Sequence, residues 1–112
     1  MAPQAFSWLL LAASIAAEVA GTIALRHADG FTRLTPSLVV GVCYAAAIWL
    51  MSIAVRHLEV GLAYAVWAGS GTALTAALGI LWFGESTTLP RLAGVAMIVI
   101  GVVVLNLETH PS

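Results

Sequence analysis

Glu18 is an acidic side chain within the apolar run Phe6 to Leu25, and none of the apolar runs contains a basic residue that could pair with it. A charge at the centre of a bilayer costs at least about 2.5–3.5 kcal/mol, so an acidic residue at this depth is by default a functional-site hypothesis. Because desolvation favours the neutral form of a carboxyl group, Glu18 is a candidate proton carrier. The alternative is a permanently protonated Glu18 that only hydrogen-bonds neighbouring helices.

Aromatic residues at membrane depth form a second set of candidates. Tyr64 and Trp67 are three residues apart in one apolar run, and Tyr44 lies in the run before it. Each aromatic face can stabilise a desolvated organic cation by about 2 kcal/mol. Together with an anionic Glu18, these rings would form a site for a lipophilic cation. The alternative is that the rings fill the core or lie in an interfacial belt.

Small and polar residues share one face of the first run. Helical spacing places on it Leu11, Ser14, Glu18, Gly21, Thr22 and Leu25. A stripe of this composition is expected to face protein or a cavity rather than lipid. Ser14, Gly21 and Thr22 are therefore candidate substrate-lining residues beside Glu18.

Glycines in the later runs suggest movement or close packing. Gly69 and Gly71 flank Ser70 in the middle of the third run, and such Gly/Ser positions are a common cause of helix kinks. A hinge at this depth would suit alternating access, whereas tight helix packing is the competing explanation. Gly94 and Gly101 are seven residues apart on one face of the fourth run, which predicts a helix–helix contact.

The composition of the chain predicts the helices that position these residues. The chain has 112 residues, of which 62% are hydrophobic and 8% charged, with a mean hydropathy of +1.05. Ordinary soluble domains are roughly one quarter charged, so we predict an all-α integral membrane protein. A spanning helix needs about 20 mainly apolar residues. The chain offers four such runs in one domain covering 1–112, at about 6–25, 36–55, 61–83 and 92–107.

Two further observations bear on the number and orientation of the spans. The first run could instead be a cleaved signal peptide, although Met1 to Ser7 lacks the Lys or Arg that such a leader carries. With four spans, Arg56 faces one side of the membrane and the other three arginines face the opposite side. This weak bias leaves open insertion in one orientation or in both.

Several function classes are excluded by composition. The chain has four Lys+Arg residues and a net charge of −1, which leaves no basic patch for nucleic acid. It has no Cys/His cluster with metal-ligand spacing, no glycine-rich phosphate loop and no set of residues for a catalytic triad. We therefore expect no metal, no cofactor and no enzymatic activity.

The chain resembles a known protein family. Three segments carry the resemblance: Ala17-Glu18-Val19-Ala20-Gly21-Thr22, Gly30-Phe31-Thr32-Arg33-Leu34 with Pro36-Ser37, and Gly61-Leu62-Ala63-Tyr64-Ala65-Val66-Trp67-Ala68-Gly69-Ser70-Gly71. With Phe83-Gly84-Glu85 and Asn106 they cover nearly the whole chain, which closely resembles the small multidrug resistance family.

The resemblance implies a multi-pass protein of the bacterial inner membrane that exchanges protons for toxic organic cations as an antiparallel homodimer. It places the family's membrane glutamate on Glu18, and its substrate-lining aromatics on Tyr44, Tyr64 and Trp67. The hinge glycines fall on Gly69 and Gly71, and the dimerising fourth helix on the segment from Gly94 to Gly101. A dimer is also expected because one four-helix chain is too small to surround a drug and offers a single carboxyl group at that depth.

The family's branches and this chain's departures refine the expectation. Members that export guanidinium compounds usually carry Trp one turn after the glutamate, whereas this chain resembles the quaternary-ammonium branch, with Gly21-Thr22. Trp8, a further candidate substrate-lining residue, stands where drug exporters usually have Tyr, and Ala47 stands where a Ser often donates a hydrogen bond toward the glutamate. The loss of both hydroxyls is expected to favour protonation of Glu18. A guanidinium or polyamine exporter on the same scaffold, or a non-transporting subunit of a heterodimer, remains the alternative.

Overall fold

The computed structural model describes residues 3–107, so residues 1–2 and 108–112 of the predicted domain lie outside the described range. Across that range the chain forms four α-helices and no strand. They are α1 (Pro3–His27), α2 (Leu34–Ala54), α3 (Val60–Phe83) and α4 (Leu89–Leu107). Each helix is long and apolar enough to span a bilayer. The prediction of an all-α integral membrane protein with four spanning helices is confirmed.

The helix ends reflect local backbone chemistry more than hydropathy. α1 begins at Pro3 and α4 at Leu89, each earlier than its apolar run suggests. Pro36 and Pro90 both lie in first turns, where a missing N–H breaks no intrahelical bond. α3 is followed by Gly84, which adopts a left-handed φ of +65°. Glycine ends helices well because this conformation brings no steric penalty without a Cβ.

α1 lies between α2 and α3. It packs most extensively against α2 and also contacts α3, while α4 lies against α3. The buried core cluster consists of Leu11, Ile15, Val19, Ala54, Leu58, Ala63 and Val66. No residue of α4 is buried in the single chain. The helix that carries Glu18 is thus flanked on two sides by other helices.

Candidate functional site

Glu18 is half-buried on α1 and is linked to α2 by a chain of hydroxyl groups. The Thr22 hydroxyl lies 3.1 Å from Glu18 Oε1 and 3.0 Å from the Glu18 carbonyl oxygen. Thr22 Oγ1 is also 2.8 Å from the Tyr44 hydroxyl. Because each hydroxyl has one hydrogen to donate, a Thr22 that donates to Glu18 must accept from Tyr44. Tyr44 of α2 therefore acts on the carboxyl group through Thr22.

Gly21 makes this chain of hydroxyls possible. A Cβ at Gly21 would lie 2.7 Å from two carbons of the Tyr44 ring and 3.1 Å from Cys43 Cβ. Real Cβ atoms do not approach ring carbons this closely, so a side chain at Gly21 would displace the ring. The absence of a side chain lets the Tyr44 ring lie across α1 and place its hydroxyl group on Thr22.

The second carboxyl oxygen of Glu18 faces α3. A Cβ at Gly71, which is buried, would lie 3.0 Å from Glu18 Oε2. A methyl group at this position would therefore press on the carboxyl group. Gly71 allows the backbone of α3 to approach the acidic side chain directly, which places α1 and α3 in contact at the depth of Glu18.

Two hollows meet at Glu18 and Trp67. The larger, which we call the α1–α3 cleft, has a volume of about 560 Å³ and is lined by Glu18, Thr22, Ile23, Arg26, Trp67, Ala68, Gly71, Thr72, Thr75, Ala76, Gly79, Phe83 and Glu85. The smaller, which we call the α2 hollow, has a volume of about 310 Å³ and is lined by Glu18, Tyr44, Ala47, Ile48 and Trp67. The carboxyl group and the indole ring are shared by both spaces.

The aromatic candidates divide between these hollows and the outer surface. Trp67 lines both hollows, and its indole N–H is buried without a hydrogen-bond partner among residues 3–107. Tyr64 packs its ring 5.8 Å from that of Trp67 at an angle of 59°. It is 59% exposed and lines neither hollow. A single chain therefore brings Tyr44 and Trp67 to Glu18, while Tyr64 supports Trp67 from outside.

Ser14 and Trp8 lie away from both hollows. Ser14 is fully buried and donates a hydrogen bond of 2.6 Å to the Ala47 carbonyl, which ties α1 to α2. Trp8 packs against the buried core cluster. Ser14 and Glu18 are four residues apart, which leaves their side chains about 40° apart around the helix axis. Ser14 therefore points more toward α2 than Glu18 does. In the single chain both side chains serve packing between helices.

The glycines predicted as hinges and contacts occupy different environments. α3 is one continuous helix through Gly69 and Gly71. A Cβ at Gly69 would lie 2.6 Å from Val102 Cγ2, so this glycine allows α4 to pack closely on α3. Gly94 and Gly101 would meet nothing within 4 Å. Their surroundings in a single chain are open space.

The larger hollow includes residues that the sequence reasoning did not single out. Thr72, Thr75, Gly79 and Phe83 extend the cleft along α3, beyond Gly71. Small and polar residues recur every four positions from Gly71 to Gly79 in an otherwise apolar run. This periodicity could have identified the cleft face of α3 from the sequence, because residues four apart share one helix face.

Charged residues close the far end of the α1–α3 cleft. Arg26 places its guanidinium group 4.9 Å from the centre of the Phe83 ring, and its Nη1 atom lies 3.9 Å from Glu85 Oε2. Arg91 Nη1 lies 3.4 Å from Glu85 Oε1 and donates to the Ser86 carbonyl. Since these ion pairs are exposed, each adds at most about 1 kcal/mol to stability. They nevertheless link the end of α1 to the turn before α4.

Four spanning helices around a half-buried carboxyl group, with aromatic side chains beside it, define a small multi-span membrane protein with an internal polar site. The sequence profile of the family described as Small Multidrug Resistance protein matches residues 6–98. The chain belongs to this family, as the resemblance predicted, and is a multi-pass bacterial membrane protein.

Curated relatives agree with this assignment. The quaternary ammonium compound-resistance protein QacF of Klebsiella aerogenes is 46% identical over 95% of this chain and 96% of its own length. The multidrug transporter EmrE of Escherichia coli is 38% identical over 94% of this chain and 96% of its own length. A guanidinium exporter of Citrobacter freundii is 43% identical over 93% of this chain and 99% of its own length. Relatives named for quaternary ammonium, multidrug and guanidinium substrates thus have similar sequence identity to this chain.

Proposed function

We propose that this protein exports lipophilic and quaternary ammonium cations in exchange for protons, and that cation and proton compete for Glu18. The observation that carries the proposal is the position of Glu18, whose carboxyl group lines both hollows beside the Trp67 ring. An ionised carboxylate attracts a cation, and an aromatic face adds about 2 kcal/mol in a desolvated site. The names of QacF and EmrE support this substrate class.

Competition at one carboxyl group couples the two movements. A bound cation needs Glu18 in its ionised form, whereas a bound proton removes the charge that holds the cation. Each ligand therefore expels the other, and a proton gradient can drive export if the site opens to one side of the membrane at a time. Gly69 and Gly71 remain our candidates for the hinge of that movement.

We further propose that two chains form the transporter as an antiparallel homodimer. The face of α4 that carries Gly94 and Gly101 has open space around it in a single chain, so a second copy can approach closely there. Two chains would place two Glu18 carboxyl groups at one shared site. Such a pair titrates as a unit, and its proton affinities belong to the dimer rather than to either chain.

Export of guanidinium compounds is the second candidate function, because a curated relative with that name is 43% identical. Gly21 favours the first candidate. The Tyr44 ring occupies the space where a side chain at this position would stand, so an aromatic ring borders the α2 hollow. Competition by guanidinium ion for the bound organic cation separates the two candidates.

Proton release provides the decisive experiment. Tetraphenylphosphonium is added to purified protein in weakly buffered detergent solution over a range of pH, and released protons are measured. We expect release from the wild type and from Glu59→Gln, whose substitution lies in the turn between α2 and α3, and none from Glu18→Gln. Cation binding by the wild type without proton release would overturn the competition mechanism.

A further inference from the structure

Thr75 has a hydroxyl group that makes no hydrogen bond among residues 3–107, although the residue lines the α1–α3 cleft. The two other threonines of the cleft are engaged. Thr22 hydrogen-bonds to Glu18 and Tyr44. The Thr72 hydroxyl group donates a hydrogen bond of 2.7 Å to the Ala68 carbonyl. Thr75 is therefore the threonine of this cleft whose hydrogen-bonding capacity is unused by the protein.

The position of Thr75 relative to the carboxyl group is fixed by α3. Gly71 lies against Glu18 Oε2, and Thr75 is four residues further along the same continuous helix. Four residues advance a helix by about 6 Å. The cleft thus offers a carboxylate at one point and a free hydroxyl group about one helical turn away, with the Trp67 ring beside the carboxylate.

From this arrangement we infer that Thr75 determines specificity for cations that carry an N–H donor about 6 Å from their positive charge, such as amino-substituted aromatic cations. The inference rests on the proposed function and assigns to one residue of the cleft a role in discriminating among its cations. A hydroxyl group accepts a hydrogen bond from an amino group. Tetraalkylammonium and tetraphenylphosphonium ions have no N–H group, so they gain nothing from Thr75. Charge alone would not distinguish the two classes of ligand.

A matched pair of ligands tests this inference. Ethidium is a phenanthridinium cation with two amino groups, and its analogue without the amino groups keeps the charge and the ring system. Dissociation constants for both are measured on the full-length protein in lipid nanodiscs. The variant Thr75→Val removes the hydroxyl group at nearly constant volume. Thr32→Val is the matched control, because the Thr32 hydroxyl group donates to the Asp29 carbonyl and the residue lines neither hollow.

We expect Thr75→Val to weaken ethidium binding by about fivefold, the loss of one ordinary hydrogen bond, and to leave the analogue unchanged. Thr32→Val should change neither value. Equal effects of Thr75→Val on both ligands, or equal effects of the two variants on ethidium, would overturn the inference while leaving the proposed function intact. If wild type binds neither cation, or if Glu18→Gln binds both as tightly as wild type, the proposed function fails and the inference fails with it.

Discussion

At Glu18 the two carboxyl oxygens have different surroundings. Oε1 accepts a hydrogen bond from Thr22, whereas Oε2 faces the backbone of α3 at Gly71. An ionised carboxylate can accept about four hydrogen bonds, and the described residues of the chain provide one. The remaining capacity is available to whatever enters the two hollows, which is the property that a site for exchangeable cations requires.

Removing the charge of Glu18 is the first prediction at the residue scale. Glu18→Gln keeps the shape of the side chain but binds neither a proton nor a cation through charge. We expect cells that express it to lose resistance to a quaternary ammonium compound while the protein still inserts in the membrane, as measured by growth and by immunoblotting of membranes. Normal resistance from Glu18→Gln would show that the site lies elsewhere, and Glu59→Gln provides the control.

Gly71 gives a second prediction at this scale. In Gly71→Ala the new methyl group lies 3.0 Å from Glu18 Oε2 and must displace the carboxyl group by a few tenths of an ångström. We expect weaker binding of tetraphenylphosphonium, measured by isothermal titration calorimetry. Gly61→Ala on the same helix meets nothing within 4 Å and should bind as wild type does. Equal affinity in all three proteins would contradict the close approach of α3 to Glu18.

The sequence predicted Glu18 as a functional residue, because a lone charge in an apolar run is energetically unfavourable in lipid. It did not reveal the partner of Ser14, because a shared stripe includes side chains that turn toward different neighbours. It did not single out Thr75, because a threonine in a membrane helix commonly bonds to its own backbone. Only the three-dimensional contacts distinguish Thr72, which does so, from Thr75.

Among the elements, α3 connects the site to the periphery. One part of the helix meets Glu18 at Gly71, and a neighbouring position, Gly69, meets Val102 of α4. Glycine at both positions brings three helices together within one helical turn of α3. One turn of α3 therefore contacts both α4 and the carboxyl group.

Packing between α3 and α4 gives the third prediction. Gly69→Ala places a methyl group 2.6 Å from Val102 Cγ2, and overpacking of this kind costs typically about 1–3 kcal/mol. We expect a lower thermal unfolding temperature in detergent, with partial recovery in the double variant Gly69→Ala with Val102→Ala. Gly41→Ala on α2, which meets nothing within 4 Å, is the control. A lack of recovery in the double variant would exclude the direct clash as the cause.

Hydropathy was sufficient to predict the number and type of the elements, because each span must be apolar over a fixed length. It could not predict their arrangement, since lipid-facing and helix-facing surfaces are similarly apolar in this chain. The close contacts depend on single glycines, and the sequence does not show that Gly69 contacts another helix of the same chain whereas Gly94 does not. One lies under Val102 and the other borders open space.

For the whole molecule, the fourth helix is the surface that a partner chain would cover. No residue of α4 is buried in the single chain, and Gly101 has open space beside it. Lipid could cover such an apolar surface as well, so burial in one chain does not predict the oligomeric state. To test the proposed antiparallel homodimer, a substitution must disrupt the assembly without affecting the single chain.

Gly101→Trp provides that substitution and the fourth prediction. The new side chain has room in a single chain but would block close approach of a second α4. We expect the variant to keep its helical circular dichroism and to lose dimers in chemical crosslinking and native mass spectrometry. Tetraphenylphosphonium binding should fall with the dimer fraction. Dimers as abundant as in the wild type would indicate an interface elsewhere.

The hydroxyl chain from Tyr44 through Thr22 to Glu18 has a spectroscopic consequence. An ionised Glu18 orients both hydroxyl hydrogens toward α1, whereas a neutral Glu18 frees Thr22 to donate to the backbone carbonyl 3.0 Å away. The electron density on the Tyr44 ring therefore changes with the charge on another helix. Because the chain has two tyrosines and Tyr64 lies outside this network, isotope-labelled tyrosine would give one infrared band that reports the charge of Glu18 and one internal reference.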